Sequence, residues 1–161
     1  MAGKTWMGSD NSMKGYYNHF EDYPEVSLCD CTIDRITALK DGSIFHVPNG
    51  LVGVGDTLEY SSALDVRIVG CGIDSLLFYK IRMWSIFRKR FYTEVFFEYE
   101  KLKRMFDLGY KIRITEEYFG YKCMYIKGEV VKANGKSTFK EIKIILEDVK
   151  RVVFDTVDIF I

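Results

Sequence analysis

The side chains of this sequence that could do chemistry are few: four cysteines, two histidines and a handful of close carboxylates. Cys29 and Cys31 flank Asp30. On a strand, residues two apart share a face, so the pair could hold a metal or cycle through a disulfide. Zinc sites need C-x₂₋₄-C pairs joined by a second pair or by histidines at defined spacing. The remaining candidates are Cys71, Cys123, His19 and His46, and none stands at such a spacing. Free thiols, no metal and no cofactor are therefore expected. Two histidines leave little material for general-base work, and His46 reads as a structural histidine. Asp30/Asp34 and Glu116/Glu117 read as ordinary strand and turn carboxylates. The run Gly50-Leu-Val-Gly53-Val-Gly55 comes near a phosphate loop, but no Lys-Ser/Thr follows and no helix opens there. No Gly-x-Ser-x-Gly or His-Glu-x-x-His motif occurs. The sequence thus points away from an enzyme and toward binding.

Charge narrows the kind of binding. The chain has 161 residues, with 23 basic and 23 acidic side chains, so its net charge is zero. A protein that lives on nucleic acid is usually basic, so that class is not favoured. The zero conceals a division. Residues 1–79 carry 5 basic and 11 acidic side chains, whereas 80–113 carry 10 basic and 4 acidic. An acidic first half would steer a basic partner. The candidate contacts are Asp30, Asp34, Asp41, Asp56, Glu59 and Asp65. Arg88-Lys-Arg90 with Phe91 and Tyr92 is a short basic-aromatic patch of the nucleic-acid-binding kind. An alternative is a small-ligand site at the mouth of a barrel-like sheet, lined by Tyr79, Trp84, Tyr121 and Tyr125.

The elements that must position these residues are mostly strands. Aromatics make up 16% of the chain and there are only two prolines, which leans toward β structure. No apolar run reaches the ~18–20 residues of a membrane span. Residues 1–22 read as an irregular N-terminal arm, and 23–161 as a single β-rich domain. No charged-then-apolar leader is present, so a cytoplasmic location is expected. Alternation runs through 26–39, with Asp30 and Asp34 on the solvent face. Asp41-Gly42 supplies the positive φ of a hairpin turn. Ile44–Val47 reads as the return strand and Leu51–Asp56 as a short strand weakened by glycine; Leu64–Val69 and Ile73–Trp84 alternate again, and 85–90 reads as a basic connection. Val95, Tyr99, Leu102 and Phe106 recur with helical spacing, flanked by Phe96 and Met105. A helix over about 93–108 follows, capped by Thr93 and ended by Gly109. Beyond it lie strands at 110–115, 121–131 and 137–146, with a turn at 116–120 and an Asn134-Gly135 hairpin of type I′. A last strand or two closes the chain. About eight strands and one helix give an α+β fold, with a curved antiparallel or barrel-like sheet.

One family resemblance rests on Leu28-Cys-Asp-Cys-Thr-Ile-Asp-Arg-Ile36 followed by Asp41-Gly-Ser-Ile-Phe45. This stretch resembles the opening hairpin of small β-rich bacterial proteins, some similar to immunity proteins of polymorphic toxin systems. It covers ~20 residues and carries no catalytic residue. The resemblance implies a cytosolic inhibitor that covers a surface of another protein. The functional expectation is therefore a non-enzymatic protein-binding module that neutralises a basic partner.

Overall fold

The computed structural model describes residues 14–17, 26–50, 52–53 and 63–156. Asp56 and Glu59 lie outside the described residues. The strands of the first half are β1 (Lys14–Tyr17), β2 (Val26–Ser27), β3 (Thr32–Ile33), β4 (Arg35–Ala38), β5 (Gly42–Val47), β6 (Val52–Gly53) and β7 (Leu64–Val69). A 3₁₀ turn at Ile73–Ser75 leads into β8 (Leu76–Ile86), β9 (Lys89–Phe97) and the helix α1 (Tyr99–Asp107). Then come β10 (Lys111–Gly120), β11 (Cys123–Val131), β12 (Ser137–Leu146) and β13 (Arg151–Thr156). All pairings are antiparallel. One sheet has the order β1-β13-β7-β5-β4, a second β3-β10-β11-β12-β8-β9, and β2 pairs with β6. The α+β class is as expected, but among the described residues the β structure is two main sheets and a two-stranded pair, and no barrel closes.

Alternation builds the core. Leu64, Val66 and Ile68 of β7 and Phe45 and Val47 of β5 point inward from the first sheet. Ile112, Ile114, Met124, Ile126, Ile142 and Ile144 do so from the second. Together with Leu102 of α1 they form one contiguous buried cluster. The helix is tied to β4 by Tyr99, whose hydroxyl donates to the Ile36 carbonyl at 2.7 Å and accepts from the Ala38 N–H at 3.3 Å.

Local chemistry alters several expectations. The helix is shorter than 93–108, because Thr93 and Val95 belong to β9, opposite Arg82 and Lys80. The Phe91–Phe97 stretch is rich in aromatic and β-branched residues, which favour a pleated ribbon. Pairing along all of β9 overrides the accidental helical spacing of Val95 with Tyr99. From Tyr99 onward the stripe holds: Leu102 is fully buried, and Met105 and Phe106 pack on the core. Residues 26–39 are three short strands, since Asp30 turns the chain at φ 66°. Residues 116–120 continue β10 past a bulge, and the turn falls at Tyr121-Lys122, with Lys122 at φ 53°. Within the expected N-terminal arm, Lys14–Tyr17 pairs with β13.

Both glycine turns join the strands expected, by other geometry. Gly42 has no positive φ; it is required because a Cβ there would come within 2.9 Å of the Ile68 carbonyl. At β11–β12 the Gly135 N–H bonds to Lys132 O at 2.8 Å, and Gly135 alone takes the left-handed conformation, at φ 77°. That is a type I turn followed by a glycine bulge, the other common hairpin solution.

Leu102→Ala should lower stability by roughly 2–5 kcal/mol, read from denaturant unfolding; a loss under about half a kcal/mol would mean that the helix is peripheral. The four cysteines are free, Cys31 and Cys71 buried, Cys29 and Cys123 half-buried. Burial is the main cause that pushes the Cys71 thiol up to about 11, which starves it of reactive thiolate. Native alkylation at pH 8 should therefore modify Cys29 and Cys123, and denatured protein all four. Rapid native labelling of Cys71 would contradict the packing.

Candidate functional site

The sheet does not support β8 and β9 along their whole length. β12 pairs with β8 only from Leu76 to Ile81, whereas β9 accompanies β8 out to Ile86. Arg82–Thr93 therefore stands off the sheet as a two-stranded arm, roughly 15 Å long at ~3.3 Å per residue. The sequence places no carboxylate in it and four cations: Arg82, Arg88, Lys89 and Arg90. Its apolar side chains face solvent on both sides. Met83 is 62% exposed and Tyr92 64%, paired on one face. Trp84 and Phe91 stack on the other, with ring centroids 4.7 Å apart. The Trp84 indole N–H donates to the Thr93 hydroxyl at 3.1 Å.

The tip is the most exposed apolar point of the described residues. Phe87 is 96% exposed. Phe87 and Arg88 form the two-residue turn, both left-handed, at φ 49° and 65°. A type I′ turn asks for Asn-Gly there, and a bulky residue costs roughly 1–2 kcal/mol in that conformation. The 85–90 stretch is thus a strained hairpin tip and no mere connection.

At the base of the arm, on the core side of the sheet, α1 leaves a groove of about 410 Å³. Its apolar lining comes from Val95, Phe97, Val130 and Ile142 of the sheet, with Met105 and Tyr110 opposite. Lys80, Arg82, Lys101 and Lys140 also line it. None of these four has an ion-pair partner among the described residues.

The opposite face of this sheet is charge-paired. Lys143 Nζ lies 2.9 Å from Glu94, between the rings of Tyr79 and Tyr125 at 5.9 and 5.2 Å. Lys127 contacts Glu116 at 3.2 Å and Glu141 at 3.4 Å. Burial acts to lower the Lys127 pKa, but those two carboxylates outweigh it and the pKa is raised. Burial is also the main cause that raises the pKa of Tyr125. Of the four expected ligand-lining residues, then, Tyr79 and Tyr125 flank Lys143 on this outer face. Trp84 sits on the arm, and Tyr121, 84% exposed, sits in the β10–β11 turn. They share no mouth, because no barrel closes around one.

The acidic candidates among the described residues are also not gathered on one element. Asp41 is exposed in the β4–β5 turn. Asp65 lies in β7 opposite His46 of β5, and its carboxylate meets His46 Nδ1 at 2.7 Å. Asp34 is beside that pair: its N–H bonds to His46 O at 3.2 Å. It is half-buried and not on a solvent face, and its Oδ1 is buried without a hydrogen bond among the described residues. Asp30 is exposed in a turn against β10. Glu117 is a clasp: it accepts from the Ser27 hydroxyl at 2.6 Å and from the Leu28 N–H, and burial raises its pKa. Among the described residues no three His, Cys, Asp or Glu side chains could hold a metal ion.

The fold and site define an α+β protein of two open antiparallel sheets with a cationic, aromatic arm. Compared with family models, curated proteins and solved structures, the chain matches none. Among the described residues no helix is long and apolar enough to cross a membrane.

Replacing the tip by Phe87→Asn with Arg88→Gly should relieve the turn and stabilise the protein by about 1 kcal/mol, since Phe87 packs on nothing. An unchanged or lower denaturation midpoint would show that the tip carries no strain.

Proposed function

We propose that this protein is a non-enzymatic binding module of inhibitor or immunity type, and that it docks on an acidic protein through the β8–β9 arm. The observation that carries this reading is Phe87 at the tip of the arm, almost wholly exposed in a turn its side chain strains. A monomer gains nothing from that arrangement, whereas an interface gains an aromatic anchor. Arg88, Lys89 and Arg90 adjoin the anchor, with Arg82 at the arm's base, and would steer and pair with carboxylates. The resemblance of the opening hairpin to immunity-type proteins supports the same class. The sign of the partner differs from the sequence expectation, because the basic segment forms one projecting element while the described acidic candidates, Asp30, Asp34, Asp41 and Asp65, are not gathered on one. Four free thiols suit a reducing compartment, so action in the cytoplasm belongs to this proposal.

A protein surface fits the arm better than a nucleic acid. Met83 and Ile86 offer nothing to a base, and Trp84 and Phe91 already stack on each other, so neither ring is open for a base to stack on.

Trp84 reports on the arm once Trp6 is replaced by Phe. Its emission should shift on titration with an acidic glutamate–tyrosine copolymer, less at high salt, and not in the Phe87→Asn, Arg88→Gly variant. A shift at lower concentration with a single-stranded oligonucleotide or with anionic phosphatidylglycerol vesicles would replace the reading by those partners. Silence toward all three, or equal binding by the tip variant, would sink it.

A further inference from the structure

We propose that the groove beneath α1 binds a small organic anion with an apolar tail, of the medium-chain fatty carboxylate type. This goes beyond docking through the arm and rests on other side chains, Arg82 excepted.

The chemistry follows from where charge meets the apolar face. On β8, Lys80 has the same parity as the buried Phe78, and its register neighbours are Val95 of β9 and Ile142 of β12. An ammonium is thus set on the core side of the sheet between two apolar residues, with no carboxylate opposite. Arg82 follows at the next position of the same parity. Lys140 reaches the same rim from β12 and Lys101 from α1. Three elements far apart in sequence deliver four cations to one opening, and each lacks an ion-pair partner among the described residues. The one carboxylate of the lining, Glu141, is engaged by Lys127, at 3.4 Å. Gathered like charges repel one another, and a bound anion removes that repulsion.

The interior sets the tail. Val95, Phe97, Val130 and Ile142 offer no hydrogen bond from their side chains, and Met105 adapts to irregular shapes. A volume of about 410 Å³ falls in the usual range of small-molecule sites, ~300–1,000 Å³. A planar carboxylate suits the Arg82 guanidinium, which binds such groups through two parallel hydrogen bonds. A neutral tail alone would leave the four cations uncompensated, and a cationic amphiphile would add to them. The arm of a second copy is a poor occupant for the same reason: arm and groove carry charge of one sign.

Calorimetric titration of the full chain with decanoate, decanol and decyltrimethylammonium, all below their micelle concentrations, tests this. Decanoate should bind saturably at one site, at least tenfold tighter than either analogue. Lys101→Glu and Lys140→Glu, both at exposed positions, should each weaken decanoate about tenfold, whereas Arg90→Glu on the arm should change it less than twofold. Val95→Trp, which fills the groove, should abolish binding while the thermal transition persists. The proposal is overturned if the three amphiphiles bind alike, if decanoate does not saturate, or if the two rim variants bind as the parent does. None of these results bears on docking through Phe87.

Discussion

Strand β8 is the constraint on which the rest depends. Its register with β9 runs from Phe78 to Ile86 without a shift, so one parity holds along the strand, but its surroundings change twice along the way. At Leu76 and Phe78 the inward face is covered by the other sheet and by α1, and the side chains are core. At Lys80 and Arg82 the cover thins to a groove, and cations appear at the same parity. At Trp84 there is no third strand, and the same face belongs to a free arm. Core, groove and arm are successive stations of a single period-two pattern, so none can be moved without re-registering the others.

The outer face of the same sheet shows what the chain does with charge it does not leave open. Arg113 pairs with Glu129, Lys127 with Glu116 and Glu141, and Lys143 with Glu94. Such exposed pairs contribute only ~0.2–1 kcal/mol each. Their larger consequence is to neutralise a broad β face and to leave β9, the edge strand, flanked by mixed charge, which discourages edge-to-edge pairing. Against that background, four cations without counter-charges around one groove stand out.

Much of the fold was legible because period-two alternation dominates the chain. The hairpins at Asp41-Gly42 and Asn134-Gly135 join the strands expected, and Leu102 lies at the centre of the helix stripe. Residues 93–98 were not legible, because Val95, Tyr99 and Leu102 satisfy a helical spacing while Val95 and Phe97 satisfy a strand spacing. Only the partner, β8, decides between them. The arm was half legible: its basic and aromatic residues were plain, but Phe-Arg is no turn signal, so the hairpin was hidden. The groove was not legible at all. Lys80, Lys101 and Lys140 are twenty to sixty residues apart and meet only through the pairing of β12 with β8 and the placement of α1.

The free ribbon beyond Ile81 also divides the molecule thermodynamically. A hairpin without a third strand is at most marginally stable alone, and the hydrogen bonds of Arg82–Thr93 are backed by no buried side chain. Those amides exchange with solvent through local opening, at a free energy far below that of global unfolding, whereas the amides of Phe78 and Ile144 wait for the whole sheet to open. The arm can therefore fray and re-form many times within the lifetime of one folded core, and what it meets can reshape it without disturbing the sheets that carry it.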